Sequence, residues 1–427
     1  MHSDAARARE GRRALAVTGA LILTAGVGAA PASAAADPQE RSRRDVEGIH
    51  RLGVTGVLAE ARTPDGRITA RAGVADLRTG RPIPPGAHFR AASITKTYVA
   101  TVVLQLVGEG RLSLDDTVDG WLPGLVRANG NDGRKITIRH LLQHTSGLHN
   151  FLLDIPLLES AAYYREHRFD DYTPERLVRL ALEDRPDFEP GETHPDGTPK
   201  WNYTNTGYVL LGMIVTRATG KSWQDEVGDR VLRRLRLHGT YVPGHRVTLR
   251  RPFVRGYHQY GEDAQYGEDA QYGEGARHGE SARYGAGDQY GEGAPLTDVT
   301  LLDPSVADAS GAMITTAADN NRFFRALIGG RLVPPHLLAQ MQRTVPTGWD
   351  GPYQGSRYGL GLFWYPLRCD RAGYWAHGGD MLGYNVREGV RADGGRAVTV
   401  AMASQLAGEP ADRQGMAARE TIENVLC

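Results

Sequence analysis

The sequence predicts an α+β fold: an antiparallel sheet flanked by helices, with a mainly helical region inserted between the strands. Three observations carry this. Strand-like alternation crowds towards both ends of the chain, and helical periodicity fills the middle. The 427 residues are also enough to bury a sizeable core. One sheet assembled from both termini satisfies all three.

The first 36 residues read as a targeting segment. Arg7, Arg9, Arg12 and Arg13 precede a small-residue apolar run over 14–30, and Ala32-Ser33-Ala34 fits the small-x-small cleavage rule. A signal peptide over 1–34 is expected, leaving a secreted, extracellular protein. No later stretch approaches about 18 uninterrupted apolar residues, so no membrane span is expected after its removal.

The folded domain is expected over 45–427. Residues 53–74 read as a hairpin turning at Pro64-Asp65-Gly66. Residues 93–107 read as a helix with Val and Leu on one face, stopped by Gly108 and Gly110. From 112 to about 249 the pattern is mainly helical, clearest over 176–182, 208–218 and 223–235. Residues 259–294 are six copies of a six-residue unit typified by QYGEDA, with eight acids against two arginines. The tract lacks apolar material for a core and reads as a low-complexity insertion rather than a calcium-binding repeat. Beyond it, 316–328 reads as a helix, and 375–377, 384–390 and 397–404 as strands. Asp393-Gly394-Gly395 closes the last two into a hairpin, and 413–426 forms a closing helix.

Composition narrows the function. Fifty Lys and Arg balance fifty Asp and Glu, which argues against nucleic acid held by phosphate neutralisation. The acidic tract conceals a mildly basic body. Two cysteines are too few for a disulfide-dense mini-fold or a Cys-based zinc module. In an oxidising compartment Cys369 and Cys427 can pair; the alternative is two unpaired buried thiols. Gly220-Lys221-Ser222 lacks the first glycine of a phosphate loop, since Val215 stands there. His278 stands where a dinucleotide fingerprint starting at Gly273 needs glycine. Neither H-E-x-x-H nor G-x-S-x-G occurs. No cofactor and no metal is expected.

Four of the fifty cations are lysines: Lys96, Lys135, Lys200 and Lys221. Where arginine is the default cation, a lysine needs a reason. Ser93-Ile94-Thr95-Lys96 supplies one. Residues three apart at a helix start share a face, and a Lys of lowered pKa can deprotonate a serine where Arg cannot. Tyr203-Thr204-Asn205 offers a phenol to relay the proton and an amide to hold a substrate carbonyl. His377-Gly378-Gly379 places a cation or donor at a strand end, with glycines that let substrate approach the edge. The order of the three motifs raises their joint weight.

With these residues in place, the sequence resembles the serine β-lactamase and penicillin-binding-protein superfamily, nearest to class C β-lactamases and secreted D-alanyl-D-alanine carboxypeptidases. Phe89-Arg90-Ala91-Ala92-Ser93, His144-Thr145-Ser146-Gly147-Leu148 and Tyr358-Gly359-Leu360-Gly361-Leu362 extend the likeness across most of 45–427. The resemblance implies a β-lactamase/transpeptidase-like fold and Ser93 as acylated nucleophile. It implies Lys96 and Tyr203 as shared acid and base, and Asn205, His377, Gly378 and Gly379 as substrate-binding. It also implies an oxyanion hole from the N–H groups of Ser93 and Asp380, and a Cys369–Cys427 disulfide. His144 and His149 have no role in it and read as structural or rim residues.

It further implies a small peptide or ester substrate, peptidoglycan stem peptides among them, with β-lactams as acylating ligands. The activity expected is that of a DD-peptidase cleaving D-alanyl-D-alanine bonds. The alternatives are an esterase or D-aminopeptidase with the same machinery, or a β-lactam-acylated binding protein with little turnover. One departure bears on the choice. His377-Gly378-Gly379-Asp380 lacks the threonines that hold a terminal carboxylate in the carboxypeptidase, and Asp380 is expected to repel one.

Overall fold

A computed structural model describes residues 37–158, 160–260 and 295–427. The expected signal peptide and residues 261–294 of the repeat tract lie outside the described residues.

The chain opens with helix α1 (Pro38–His50), capped by the Asp37 side chain. A hairpin follows, β1 (Gly56–Thr63) and β2 (Gly66–Asp76), in continuous antiparallel register from Gly56↔Gly73 to Thr63↔Gly66. The predicted turn is therefore in place. The last strands come from the far end of the chain: β3 (Phe363–Leu367), β4 (Asp370–Ala376), β5 (Gly379–Met381), β6 (Tyr384–Arg391) and β7 (Ala397–Met402). β7 pairs with β1 and with β6, which joins the two termini as one ten-stranded antiparallel sheet.

Every residue of β7 is buried, because helices cover both faces of the sheet. Val398, Val400 and Met402 pack with Val46 and Ile49 of α1 and with Ile422 and Val425 of the closing helix α2 (Glu409–Leu426). On the other face, Asn320 and Asn321 of the helix Ala317–Ile328 hydrogen-bond to Thr399 and to the Glu60 carbonyl. Among the described residues, no helix is long and apolar enough to cross a membrane.

Three expectations change in detail. The predicted helix over 223–235 is interrupted by a π-helical turn, Gly228–Leu232. The helix expected to present one apolar face, Thr95–Gly108, is instead buried all round from Thr95 to Leu106. It runs through the centre of the larger core, which joins the helical region to the sheet. The strand expected over 375–377 ends at Ala376; after a break at His377 and Gly378 the chain resumes as β5, which pairs with β6 from Gly379↔Val386 to Met381↔Tyr384.

The Cys369–Cys427 disulfide closes a separation of 58 residues. It pins the end of α2 to the β3–β4 turn. The tract joins two paired strands, Tyr257–Gln259 and Leu296–Asp298, with Gln259 opposite Leu296.

Candidate active site

Ser93 sits in a 3-10 turn, Ala92–Ile94, at the mouth of the buried helix rather than inside its first turn. Ala92 has φ 49°, a left-handed conformation that costs a residue with a Cβ. The strain falls beside the candidate nucleophile, where such outliers concentrate.

Lys96 is fully buried. Its Nζ lies 3.0 Å from Ser93 Oγ, 2.7 Å from Asn205 Oδ1 and 2.8 Å from the Ser310 carbonyl. Burial drives its pKa well below the ordinary lysine value, since an ammonium is costly away from water. The donor arithmetic is then specific. Asn205 Oδ1 and the Ser310 carbonyl can only accept, so each takes an N–H from Nζ. When Lys96 is neutral, its lone pair is free to face Ser93 Oγ. Asn205 is fixed in the required sense because its Nδ2 and backbone N–H both donate to Asn150 Oδ1, each at 3.1 Å.

The structure brings Tyr203 to the same point. Lys96 Nζ lies 4.9 Å from the centre of its ring. Tyr203-Thr204-Asn205 immediately precedes the helix Thr206–Thr219, which fixes the segment against the nucleophile.

His377 departs from its expected part. It is buried, and burial lowers its pKa to about 3, so it is neutral rather than cationic. Nδ1 donates to the Gly378 carbonyl at 2.7 Å, and Nε2 accepts from the Tyr358 hydroxyl at 3.0 Å. Gly379 also has a different reason for being glycine. A Cβ there would meet the Ala91 carbonyl oxygen at 2.2 Å, so the close approach is that of the nucleophile turn to β5. At Gly378 a Cβ would meet nothing nearer than Arg387 Nη1 at 3.3 Å and the Val386 carbonyl oxygen at 3.5 Å.

Asp380 was expected to act as a free negative charge. Instead Arg387 Nη1 bonds its Oδ1 at 3.0 Å, while Arg387 Nη2 donates to the Tyr353 hydroxyl at 2.7 Å. The expected repulsion of an anionic substrate is therefore weakened by a partner one strand away.

A pocket opens beside Ser93. Phe151, Leu152, Leu157, Leu302, Val306 and Met381 give it an apolar wall, and Ser93, Asn205, Ser310, Asp380 and Gln405 supply its polar points. Among the described residues, no Lys, Arg or His lines it. Gln405 Oε1 is buried with no hydrogen-bond partner among the described residues. Thus Ser93, Lys96, Tyr203 and Asn205 meet, and Ser93 and Asp380 share the pocket. His377, Gly378 and Gly379 are not among the described residues that line it.

Sequence reasoning missed Ser310, Asn150, Tyr358 and Arg387. Ser310 acts through its carbonyl, which no residue-type pattern reveals. Tyr358 was part of a quoted motif without a role.

A family model described as Beta-lactamase matches residues 44–423. A D-stereospecific amidohydrolase from Streptomyces sp. is 34% identical; the match covers 89% of this chain and 98% of that one, with a TM-score of 0.73. A D-amino acid amidase from Ochrobactrum anthropi SV3, solved with L-phenylalanine amide, is 25% identical over 91% and 97% of the two chains, with a TM-score of 0.71. Penicillin-binding protein 4 of Amycolatopsis lactamdurans is 36% identical over 167 residues, which span 39% of this chain and 39% of that relative.

Proposed function

The chain belongs to the Beta-lactamase family, and on that premise we propose that it is an exported serine hydrolase of small D-aminoacyl amides and short peptides, working through an acyl-enzyme on Ser93. The observation that carries this is the 3.0 Å Ser93–Lys96 contact, with the two other Nζ contacts made to groups that can only accept.

Lys96 takes the Ser93 proton as Oγ attacks the carbonyl, and the N–H groups of Ser93 and Asp380 receive the developing oxyanion. Lys96 and Tyr203 return the proton to the leaving nitrogen, which departs as amine or ammonia. Water, deprotonated by the same pair, attacks the ester; the acid is released and Ser93 regains its proton.

The apolar wall suits a hydrophobic acyl residue. The orphan Gln405 acceptor and Asp380 suit a substrate with N–H groups to donate. The two solved relatives, a D-stereospecific amidohydrolase and a D-amino acid amidase, point the same way. Export is supported by the N-terminal sequence and by the disulfide, which persists in oxidising compartments.

The second reading is the D-alanyl-D-alanine carboxypeptidase, favoured by the likeness to penicillin-binding protein 4. Against it stands a pocket whose lining, among the described residues, holds no cation for a terminal carboxylate. Release of ammonia from D- and L-phenylalaninamide, and of D-alanine from a diacylated D-alanyl-D-alanine peptide, separates the two. We expect turnover of the D-amide, lost in Ser93→Ala. Faster peptide cleavage would promote the second reading, and turnover that survives Ser93→Ala would sink both.

A further inference from the structure

His144 is fully buried and ends the helix Ile138–Gln143 in a left-handed conformation, φ 60°. Two bonds run from it to the segment that carries Tyr203 and Asn205. Its carbonyl accepts the Asn202 N–H at 3.1 Å, and its Nδ1 accepts the Thr204 N–H at 3.3 Å. They bracket Tyr203, whose ring lies 4.4 Å from the imidazole, centre to centre.

Because a backbone N–H points at Nδ1, the ring proton must sit on Nε2. That nitrogen is buried with no hydrogen-bond partner among the described residues. A buried unpaired donor is unfavourable, and Phe or Leu would fill the same volume without one. What neither could supply is the acceptor at Nδ1. The cost of one nitrogen is thus explained by the use of the other.

We propose that His144 is a positioning residue of the catalytic centre, holding Tyr203-Thr204-Asn205 against Lys96 through the Nδ1 bond to Thr204. The proposal rests on the reading that Ser93, Lys96 and Tyr203 perform the chemistry. Three variants separate the contributions. His144→Asn keeps a short acceptor and tolerates the left-handed backbone. His144→Phe keeps the ring without the acceptor, and His144→Gly frees the backbone without either.

With D-phenylalaninamide, His144→Asn should retain kcat within about tenfold of wild type. His144→Phe and His144→Gly should each lose about 100-fold or more in kcat with KM little changed. Equal turnover by Phe or Gly and Asn would overturn the proposal, as would an Asn variant as inactive as Phe. Should the Phe and Gly variants fail to fold, the wild type still decides. The ¹⁵N spectrum of labelled histidine should show His144 protonated on Nε2 and accepting at Nδ1 between about pH 5 and 8; the opposite tautomer refutes it. Acylation of wild-type Ser93 reports on the underlying reading independently.

Discussion

Lys96 Nζ stands 3.0 Å from Ser93 Oγ, at the start of a helix buried on every side. A lysine there is expensive in water-free surroundings, and the arrangement has a use for that expense. Desolvation lowers its pKa, and Asn205 Oδ1 and the Ser310 carbonyl, which can only accept, hold Nζ beside the serine hydroxyl.

Lys96→Arg follows directly. A guanidinium keeps the charge and cannot act as base, so acylation of Ser93 should fall about 10³-fold at every pH. In the wild type the neutral amine is the active form. The rate should therefore be present above the lowered pKa of Lys96 and be lost as pH falls through it. A pre-steady-state pH profile of acylation tests this, and a profile rising towards acid would contradict it.

Gly379 and Gly378 should differ sharply despite being neighbours. Gly379→Ala drives a Cβ into the Ala91 carbonyl, 2.2 Å away, and should push β5 off the nucleophile turn, costing about 100-fold or more in kcat. Gly378→Ala meets nothing nearer than Arg387 Nη1 at 3.3 Å and should stay within about tenfold. Steady-state kinetics of the two variants decide it; equal losses would mean the close approach is unimportant.

Asp380 and Arg387 should be energetically coupled. Arg387→Gln leaves a partly buried carboxylate unpaired and should destabilise the protein by about 2–4 kcal/mol. Adding Asp380→Asn should recover part of that. A double-mutant cycle by urea denaturation measures the coupling, expected at about 1–3 kcal/mol; strict additivity would exclude it.

His377 sets an acid limit on stability. Folded, it resists protonation down to about pH 3, whereas the unfolded chain takes up the proton near pH 6.5. Its contribution is intact above about pH 6.5 and is lost progressively as pH falls from there to about 3, at about 1.4 kcal/mol per pH unit. His377→Gln should flatten the stability profile between about pH 6 and 4 by that slope. An unchanged slope would mean His377 titrates normally when folded.

The disulfide should matter to stability and not to chemistry. Closing a separation of 58 residues restricts the unfolded chain by about 4 kcal/mol. Cys369→Ala with Cys427→Ala should lower the denaturation midpoint accordingly while the chain still acylates at Ser93. Loss of acylation in the folded double variant would show that the staple shapes the site.

Much of this arrangement was legible in the sequence for identifiable reasons. The hairpin over 53–74 and the strands around Asp393-Gly394-Gly395 carry period-two patterns with explicit turn residues. Their joining through β7 follows from where strand patterns lie along the chain. Lys96 announced itself by rarity. Illegible were the contacts made by backbone or across strands: the Ser310 carbonyl on Lys96, and Arg387 on Asp380, which register alone brings together. The charge state of His377 also escaped, because it depends chiefly on burial. The buried surroundings of Thr95–Leu106 were missed because a helix covered on both sides needs no polar face.

The central claim is that Ser93 carries the acyl group. An activated ester reaches the same acyl-enzyme as an amide but acylates faster, so the intermediate accumulates. The decisive measurement is acid-quenched mass spectrometry with peptide mapping after mixing with the p-nitrophenyl ester of D-phenylalanine, on wild type and Ser93→Ala. One acyl mass on the peptide containing Ser93, with neither adduct nor turnover in Ser93→Ala, is the predicted result. Enzymatic turnover that persists in Ser93→Ala, or an acyl group mapped to another residue, would contradict it.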